Sequence, residues 1–337
     1  MKKIITFGEI LLRLSTTVGE RIVQANQLTM NYGGAEANVA VSLANFGYDV
    51  NHVSKIPDNS LGSAVEKHLK ANGVQTDYLL KGGERLGTYY LETGIGERSA
   101  QVVYDRKYSS ISMLAEDEID FDEVFRDATL FHVSGITPAL SPALIEITLL
   151  ALKKAKELGV TTSFDFNYRS KLWNKEEASS VFKQLLPYVD ICSCSDKDAI
   201  HFLGIKEADS ALDDHERLIY YYAEIQKMYP TITHLSSTFR TVLSASENEL
   251  QGNFYVDGTL YQSKVHHINP IVDRVGGGDA FASGILYGIL EEMSPEEVIS
   301  FATAASALKH TVHGDCNVFS ADEVLDFAEN GSGKIVR

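Results

Sequence analysis

The sequence predicts an α/β protein with a mainly parallel sheet, helices on both faces of that sheet, and a small additional β-sheet. Two observations predict this class. After Ile111, stretches with strand patterns alternate with helical ones, which is typical of a parallel sheet covered on both faces. Earlier, the β-rich runs GTYYLETG and SAQVVYDR flank the turn GIGE, as expected for a hairpin outside the main sheet. We therefore expect one domain over residues 1–337, with a lid inserted at about 11–32 and 84–108.

The composition is that of a globular protein able to bury a large core. The chain has 337 residues, 44% of them hydrophobic and 23% charged. Thirty Lys and Arg residues against 46 Asp and Glu residues give a net charge of −16, which argues against nucleic acid or a membrane as partner. Met1 begins a strand-like stretch, no apolar run is long enough to span a bilayer, and there are only three cysteines. These features predict a cytoplasmic protein.

Glycines and alternating apolar residues mark the elements of the first half. A buried strand over Lys3–Gly8 precedes a stretch of mixed polarity, which we interpret as strands and loops that leave the main body. Gly47 and Gly73 stand where helices commonly end. The expected elements are then a helix from Gly34 to Gly47, a strand over Val50–Ile56, a helix over Leu61–Asn72 and the hairpin of Arg85–Arg106.

The second half contains two clear helix starts. Ser141 is expected to cap a helix with Pro142 at its first position, and Ser294 to Glu297 forms a capping box that begins a helix ending at His310. Further helices are expected from about Asp196 and from Asp279 to about Leu290. The expected strands are Leu130–Val133, Val160–Phe164, Val189–Ser193, Ile232–Leu235, Thr241–Ala245 and the alternating run Asn253–His266.

The most informative stretch is DRVGGGDAFASG, from Asp273 to Gly284. Glycines before a helix allow close backbone approach, and free N–H groups at a helix start attract anions. Gly276, Gly277 and Gly278 are therefore a candidate anion cradle. A carboxylate beside such a cradle repels the ligand unless it has a chemical task, and the economical task for Asp279 is that of general base towards an attacking hydroxyl. The alternative is a tight turn followed by an ordinary helix residue.

Three other segments carry candidate site residues. Gly33 and Gly34 precede a helix, and Asn38 one turn later is placed to face the same ligand; a plain turn is the alternative. DFNYR, which ends at Arg169, follows a strand at its carboxyl end, where open α/β sheets bind ligands. The hairpin of Arg85–Arg106 bears polar and aromatic residues, including Tyr104, and is a candidate lid or a plain surface hairpin.

Several familiar site motifs are missing from the sequence. Neither GxxxxGK[ST] nor a GxGxxG after the first strand occurs, and GSGKI at residues 331–335 lacks the first glycine and the hydroxyl residue of a phosphate loop. GxSxG and the protein-kinase motifs are also missing. The histidines have no carboxylate or cysteine partners at metal-binding spacing. These observations exclude the commonest nucleotide and hydrolase motifs.

The two glycine segments resemble known signatures. GGAEANVAVSLANFG and DRVGGGDAFASG resemble the two signature regions of the ribokinase/PfkB family of carbohydrate kinases, in the order and at the separation typical of that family. The resemblance covers essentially the whole chain. Within the family, TYYLE, VVYDR and FDFNYR are similar to the kinases of 2-keto-3-deoxygluconate.

This resemblance implies a ribokinase-like fold and transfer of the ATP γ-phosphate to the terminal hydroxyl of a sugar acid. It implies ATP and Mg²⁺ as cofactors and leaves the need for a monovalent cation open. A lid built as a half-exposed sheet often pairs across a two-fold axis, which favours a homo-oligomer. The catalytic residues would be Asp279 and Gly276 to Gly278, and the substrate residues Gly33, Gly34, Asn38, Tyr89, Tyr104, Arg106, Arg169, Asp279 and Asp315. Nucleotide contacts would come from Asn167, Ser195, Ser236, Arg240, Gly276 and Gly278.

Three positions depart from the family pattern. Ser195 to Asp198 stands where many members carry Asn-x-x-Glu tied to Mg²⁺, so no metal ligand is assigned. HLSSTFR replaces a glycine-containing nucleotide turn, and Arg274 replaces a threonine, either to contact phosphate or to pair with an acidic neighbour. Arg106 and Arg169 favour a sugar acid, since guanidinium binds carboxylate in a bidentate fork. The alternatives are a kinase of a neutral sugar and a non-catalytic binding protein.

Overall fold

Two sheets carry all the strands of the computed structural model, which describes residues 2–331. Residues 1 and 332–337, with most of the GSGKI run, lie outside the described part. The strands are β1 (Lys3–Phe7), β2 (Leu11–Ser15), β3 (Thr29–Gly33), β4 (Asp49–Ile56), β5 (Leu79–Lys81), β6 (Thr88–Glu92), β7 (Gln101–Asp105), β8 (Ala128–Ser134), β9 (Thr161–Asp165), β10 (Ile191–Ser193), β11 (His234–Ser244), β12 (Glu247–Val256), β13 (Thr259–Gln262) and β14 (His266–Ile268).

Most helices begin at a side chain that caps the free N–H groups of the first turn. Ser141 and Ser294 do this as the sequence predicts, each with proline at the first helical position. The helices are α1 (Ala35–Asn45), α2 (Ser60–Ala71), α3 (Phe121–Val124), α4 (Pro142–Glu157), α5 (Lys175–Leu185), α6 (Asp196–Asp198), α7 (Asp214–Met228), α8 (Gly277–Leu290), α9 (Pro295–Lys309) and α10 (Ala321–Asn330).

The large sheet is mainly parallel, which confirms the predicted fold class. Its ten strands include the path β13-β12-β11-β10-β9-β8-β1-β4-β5, with β14 paired to β12. Pairing is parallel from β11 through to β5, and antiparallel only where β12 meets its three partners. The carboxyl ends of the parallel strands therefore share one edge.

Helices cover both faces of this sheet, and each face has its own apolar core. Adjacent residues of a strand point to opposite faces, so Ile4 packs in one core and Ile5 in the other. The first core contains Val39 of α1 and Phe301 of α9, and the second contains Leu152 of α4. This two-faced burial explains why the central strands are apolar on both sides.

The strand boundaries differ from the prediction in two places. The sequence predicts separate strands over Ile232–Leu235 and Thr241–Ala245, but β11 runs unbroken from His234 to Ser244. Its polar middle pairs antiparallel with β12 residue by residue from His234 to Val242. That backbone pairing keeps residues with little apolar character in the sheet. The predicted run Asn253–His266 is likewise divided among β12, β13 and the start of β14.

A separate four-stranded sheet lies beside the main body. Its order is β3-β2-β6-β7, with β2 and β6 parallel and the other neighbours antiparallel. The hairpin of β6 and β7 matches the predicted hairpin, and β2 and β3 fall in the predicted stretch that leaves the body. Among residues 2–331, no helix has the length and apolar character required to cross a bilayer.

Candidate active site

A large cavity lies where the small sheet faces the carboxyl ends of the parallel strands. Its volume is about 1350 Å³, which exceeds the roughly 300–1,000 Å³ typical of a pocket for one small ligand. The space therefore suits two substrates side by side. Most of the predicted site residues line it, namely Gly33, Gly34, Asn38, Tyr89, Tyr104, Arg106, Asn167, Arg169, Arg240, Gly276, Gly277, Gly278, Asp279 and Asp315.

The glycine turn before α8 requires glycine at two of its three positions. Gly276 has a φ of 82°, and a Cβ on it would lie 1.7 Å from the carbonyl oxygen of Asp315. A Cβ on Gly277 would lie 2.4 Å from the His310 ring. Gly278 has open space around it and lines the cavity. The turn thus brings the free N–H groups of the α8 start to the cavity wall, as an anion cradle needs.

Asp279 lies in the first turn of α8. Asn38 connects it to the other glycine segment, Gly33–Gly34. Asn38 Nδ2 donates a hydrogen bond of 2.6 Å to Asp279 Oδ2. Burial raises the pKa of Asp279 to about 7, although the Asn38 hydrogen bond and the Arg169 charge lower it. A carboxyl group with a pKa near the working pH is suited to accept and release a proton.

The Gly33–Gly34 pair is required by close backbone approach. A Cβ on Gly34 would lie 1.9 Å from the carbonyl oxygen of Glu9, and one on Gly33 would lie 2.4 Å from the Asp315 side chain. Gly34 precedes α1, and its N–H donates to Asn38 Oδ1 at 3.3 Å. This contact orients the Asn38 amide so that its nitrogen faces Asp279.

The DFNYR segment follows β9 and adds a second carboxylate and a guanidinium to the cavity. Burial, together with the nearby Asp279 carboxylate, raises the pKa of Asp165 to about 7. Arg169 Nη1 donates to the carbonyl oxygens of Asn167 and Tyr168 at 3.3 and 3.2 Å. No carboxylate within residues 2–331 forms an ion pair with Arg169, so its guanidinium keeps donors for an anion.

Arg106 differs from the prediction, because its charge is already neutralised inside the protein. The side chain is buried and forms an ion pair with the buried Glu9, including a 2.8 Å hydrogen bond from Nε to Oε2. Tyr104 of the same hairpin lies beside it, with the Arg106 guanidinium 5.6 Å from the ring centre. Arg106 lines the cavity as half of an ion pair, and its predicted contact with the substrate stays a prediction.

Asp315 also has partners that the sequence did not reveal. Tyr89 donates a hydrogen bond of 2.6 Å to Asp315 Oδ2, and Arg13 Nη1 donates one of 2.7 Å to Oδ1. Arg13 also pairs with Asp273. Both oxygens of Asp315 are therefore engaged by residues of the small sheet. Arg13 was missed because an arginine in a strand of mixed polarity carries no local sign of a partner far along the chain.

The residues predicted to hold the nucleotide do not all reach the cavity. Ser195 caps α6 and is tied to Asp198, and Ser236 is buried within β11; neither lines the cavity. Arg240 is exposed at the cavity, and Arg274 donates to the carbonyl oxygens of Ser244 and Ala245. Arg274 thus has backbone partners. Of its two expected alternatives, the pairing with an acidic neighbour is not formed in the described part of the chain, and the contact with phosphate stays a prediction.

The acidic residues fit Mg²⁺ only in the manner of a nucleotide-bound ion. Residues 2–331 contain no group of three or more His, Cys, Asp or Glu side chains that would hold a metal by themselves. Mg²⁺ usually takes one or two carboxylates together with phosphate oxygens and water. Asp165, which lines the cavity, meets that requirement, whereas the Asp198 carboxylate already accepts from Ser195.

Comparison with known proteins gives consistent matches over the full length. The chain is 34% identical to a 2-dehydro-3-deoxygalactonokinase of Haloferax volcanii over 99% of each chain. It is 28% identical to a 2-dehydro-3-deoxygluconokinase of Bacillus subtilis, covering 95% of this chain and 93% of that protein. A crystal structure of a 2-dehydro-3-deoxygluconokinase of Thermotoga maritima is 42% identical and superposes with a TM-score of 0.94, over 98% of this chain and 100% of the other.

The family model for pfkB family carbohydrate kinases matches residues 1–322. That match includes both glycine segments and every residue predicted for the site. The fold, the paired glycine segments and this match agree with one another. The chain is therefore a carbohydrate kinase that belongs to the pfkB family.

Proposed function

We propose that this kinase transfers the γ-phosphate of ATP to the terminal hydroxyl of 2-keto-3-deoxygluconate, giving 2-keto-3-deoxy-6-phosphogluconate. The relatives named above act, by their names, on 2-dehydro-3-deoxy sugar acids of the gluconate or galactonate type. Such a substrate carries a carboxylate at one end and a primary hydroxyl at the other. It needs one cationic contact and one general base in the same cavity.

This proposal rests on one observation, namely that the Arg169 guanidinium has no carboxylate partner in the described structure. Five arginines line the cavity, and two of them, Arg13 and Arg106, are paired with carboxylates. Arg240 and Arg274 belong to the segments expected to meet the nucleotide or its phosphates. Arg169 donates only to backbone carbonyl oxygens in the described structure and lines the same cavity as Asp279. A guanidinium with donors to spare favours a substrate with a carboxylate over a neutral sugar.

Asp279 supplies the base in this proposal. Its carboxylate takes the proton of the terminal hydroxyl, the hydroxyl oxygen forms a bond to the γ-phosphorus, and the bond from that phosphorus to the leaving ADP oxygen breaks. The amides at Gly276 to Gly278 stabilise the charge on the phosphoryl oxygens, which is the main requirement of phosphoryl transfer. Asp165 would hold Mg²⁺, which would further neutralise the phosphate charge.

The small sheet serves as a lid in this proposal, within one domain over residues 1–337. It is tied to the body through Asp315, which accepts from Tyr89 and Arg13, and through the Arg106–Glu9 pair. Lys171 adds a contact to the hairpin at the Val102 carbonyl oxygen, at 3.1 Å. Closure over the substrate would exclude water from Asp279 and limit wasteful hydrolysis of ATP.

We further propose that two copies associate through the small sheet, in the cytoplasm. Met30 of β3 and Val103 of β7 are exposed apolar residues on its two edge strands. Exposed edge strands pair readily with another chain. Light scattering after gel filtration tests this, and a monomer at micromolar concentration would contradict it.

The test of the proposed function is a coupled assay of ADP release. The wild-type enzyme is offered 2-keto-3-deoxygluconate, 2-keto-3-deoxygalactonate, fructose and ribose with Mg²⁺ and ATP. We expect the highest kcat/KM for the gluconate substrate. A preference for fructose or ribose would establish the neutral-sugar alternative, and no turnover with any of the four would favour the non-catalytic one.

A further inference from the structure

A buried lysine lies directly behind the glycine turn of α8. Lys309, the last residue of α9, is fully buried. Its Nζ lies 3.3 Å from the carbonyl oxygen of Asp273 and 3.5 Å from that of Val312. Burial lowers the pKa of Lys309, and the carboxylates of Asp273 and Asp315 oppose this effect. An ammonium carries three N–H donors, and these two carbonyl oxygens accept from two of them.

The charges around Lys309 balance. Arg13 pairs with both Asp273 and Asp315, and all of these side chains are buried. Two cations and two carboxylates thus share one enclosed place, which we call the buried quartet (Arg13, Asp273, Lys309 and Asp315). Removing the charge of Lys309 would leave one buried negative charge in excess, and an unpaired buried charge is strongly destabilising.

The buried quartet holds the loops that shape the anion cradle. Asp273 Oδ1 accepts from the N–H of Val275, and Oδ2 accepts from the N–H of Gly314, each at 3.1 Å. The carbonyl oxygen of Asp315 packs against Gly276, where a Cβ would meet it at 1.7 Å. A cation that bridges the carbonyl groups of Asp273 and Val312 therefore fixes the turn that presents the cradle.

Backbone carbonyl and carboxylate oxygens are also what K⁺ and similar ions bind in proteins. Here the Lys309 side chain occupies the space between the carbonyl oxygens of Asp273 and Val312. These residues therefore do not fit a bound monovalent ion. We propose that the Lys309 ammonium acts as a built-in monovalent cation, which holds the loops of residues 273–276 and 312–315 together and makes the kinase independent of added K⁺.

Cation replacement in the wild-type protein is the first arm of the test. Replacing KCl by tetramethylammonium chloride at equal concentration leaves the ionic strength unchanged. The rate should change by less than about twofold, because the Lys309 ammonium already occupies the place of the ion. A strong requirement of the wild-type enzyme for K⁺ would overturn the proposal, and this arm needs no variant to fold.

Variants provide the second arm. Lys309→Ala in tetramethylammonium should lose about tenfold or more in rate, since it leaves a buried charge unpaired, and KCl or NH₄Cl should restore most of the loss. Lys309→Met fills the space without a charge and should not recover. The matched control is Lys264→Ala, an exposed lysine that donates to one carbonyl oxygen. Equal recovery of Lys309→Ala in K⁺ and tetramethylammonium would overturn the proposal.

The rate measurements rest on the proposed function, so melting temperatures without any substrate form an independent arm. KCl should raise the melting temperature of Lys309→Ala relative to tetramethylammonium chloride, and should leave the wild-type protein and Lys264→Ala unchanged. A failure of the proposed substrate would abolish turnover in every variant but would leave this difference in place. No cation effect on the melting of Lys309→Ala would refute the built-in cation.

Discussion

Asn38 and Asp279 join the two glycine segments of the chain by a hydrogen bond of 2.6 Å from Nδ2 to Oδ2. The two residues are separated by 241 positions, and each lies in the first turns of a helix that begins in or directly after a run of glycines. The contact fixes one oxygen of the candidate base and leaves the other for a substrate. The position of the Asp279 carboxylate therefore depends on the geometry of both glycine segments.

Replacing the base is the most direct test of this site. Asp279→Asn should lower kcat by about 10²–10⁴-fold, the usual contribution of a general base, and should leave substrate binding within a few-fold. Single-turnover rates together with substrate binding by calorimetry separate the two effects. Near-wild-type turnover in the variant would contradict the role proposed for Asp279.

The pH dependence of the rate should carry an acidic limb. A general base must be ionised, and the pKa of Asp279 is raised to about 7, so kcat/KM should fall as the pH drops below 7. The Asn38 hydrogen bond lowers that pKa, so Asn38→Ala should move the limb to higher pH. Asn45→Ala, on the same helix but bonded to the Asn317 carbonyl oxygen, is the matched control. If the acidic limb of the kcat/KM profile stays at the same pH in Asn38→Ala, a group other than Asp279 titrates.

The raised pKa of Asp279 predicts that the protein becomes more stable when the charge of this side chain is removed. Ionised Asp279 costs folding free energy once the pH passes the ordinary value of 3.8, and the cost is complete above about 7. Asp279→Asn should therefore melt several degrees higher than the wild type at pH 8. That advantage should shrink as the pH falls through 7 and vanish near 4. A constant difference across this range would attribute the effect to packing.

Sequence reasoning reached the helix starts and both glycine segments, because their signals are local. A serine before Pro295 and glycines before Asp279 act through the neighbouring backbone. The ion pairs could not be predicted from the sequence. Glu9 and Arg106, for example, are 97 residues apart, and either residue alone looks like a surface charge. The sequence predicts Ser236 as a nucleotide contact, but Ser236 is buried in β11, which continues through a polar stretch.

The two arginines predicted to bind the substrate carboxylate should now behave differently. Arg169→Ala should lower kcat/KM for a sugar acid at least about tenfold more than for any residual use of a neutral sugar. Arg106→Ala leaves the buried Glu9 unpaired, so we expect both substrates to suffer together with a loss of stability of about 3–5 kcal/mol. Restoration of the melting temperature by adding Glu9→Gln to Arg106→Ala would confirm the pairing. Equal losses on both substrates in Arg169→Ala would assign that residue to phosphate.

The lid makes the last prediction. The small sheet has only a minor apolar core of its own, with Leu11, Tyr89 and Leu91 buried in it, so it belongs to the part of the fold that opens most readily. Amides of β6 and β7 should exchange more slowly with sugar acid bound than with ATP alone, because the substrate adds contacts between the sheet and the body.

Tyr89 provides the matched variant for this measurement. Tyr89→Phe keeps the ring and removes the hydroxyl that donates to Asp315 at 2.6 Å, so exchange in the hairpin should be faster without substrate while the large sheet stays unchanged. Protection of β6 and β7 that is the same with and without the sugar acid would mean that the small sheet is a static contact between copies. In that case the exclusion of water from Asp279 must come from the main body alone.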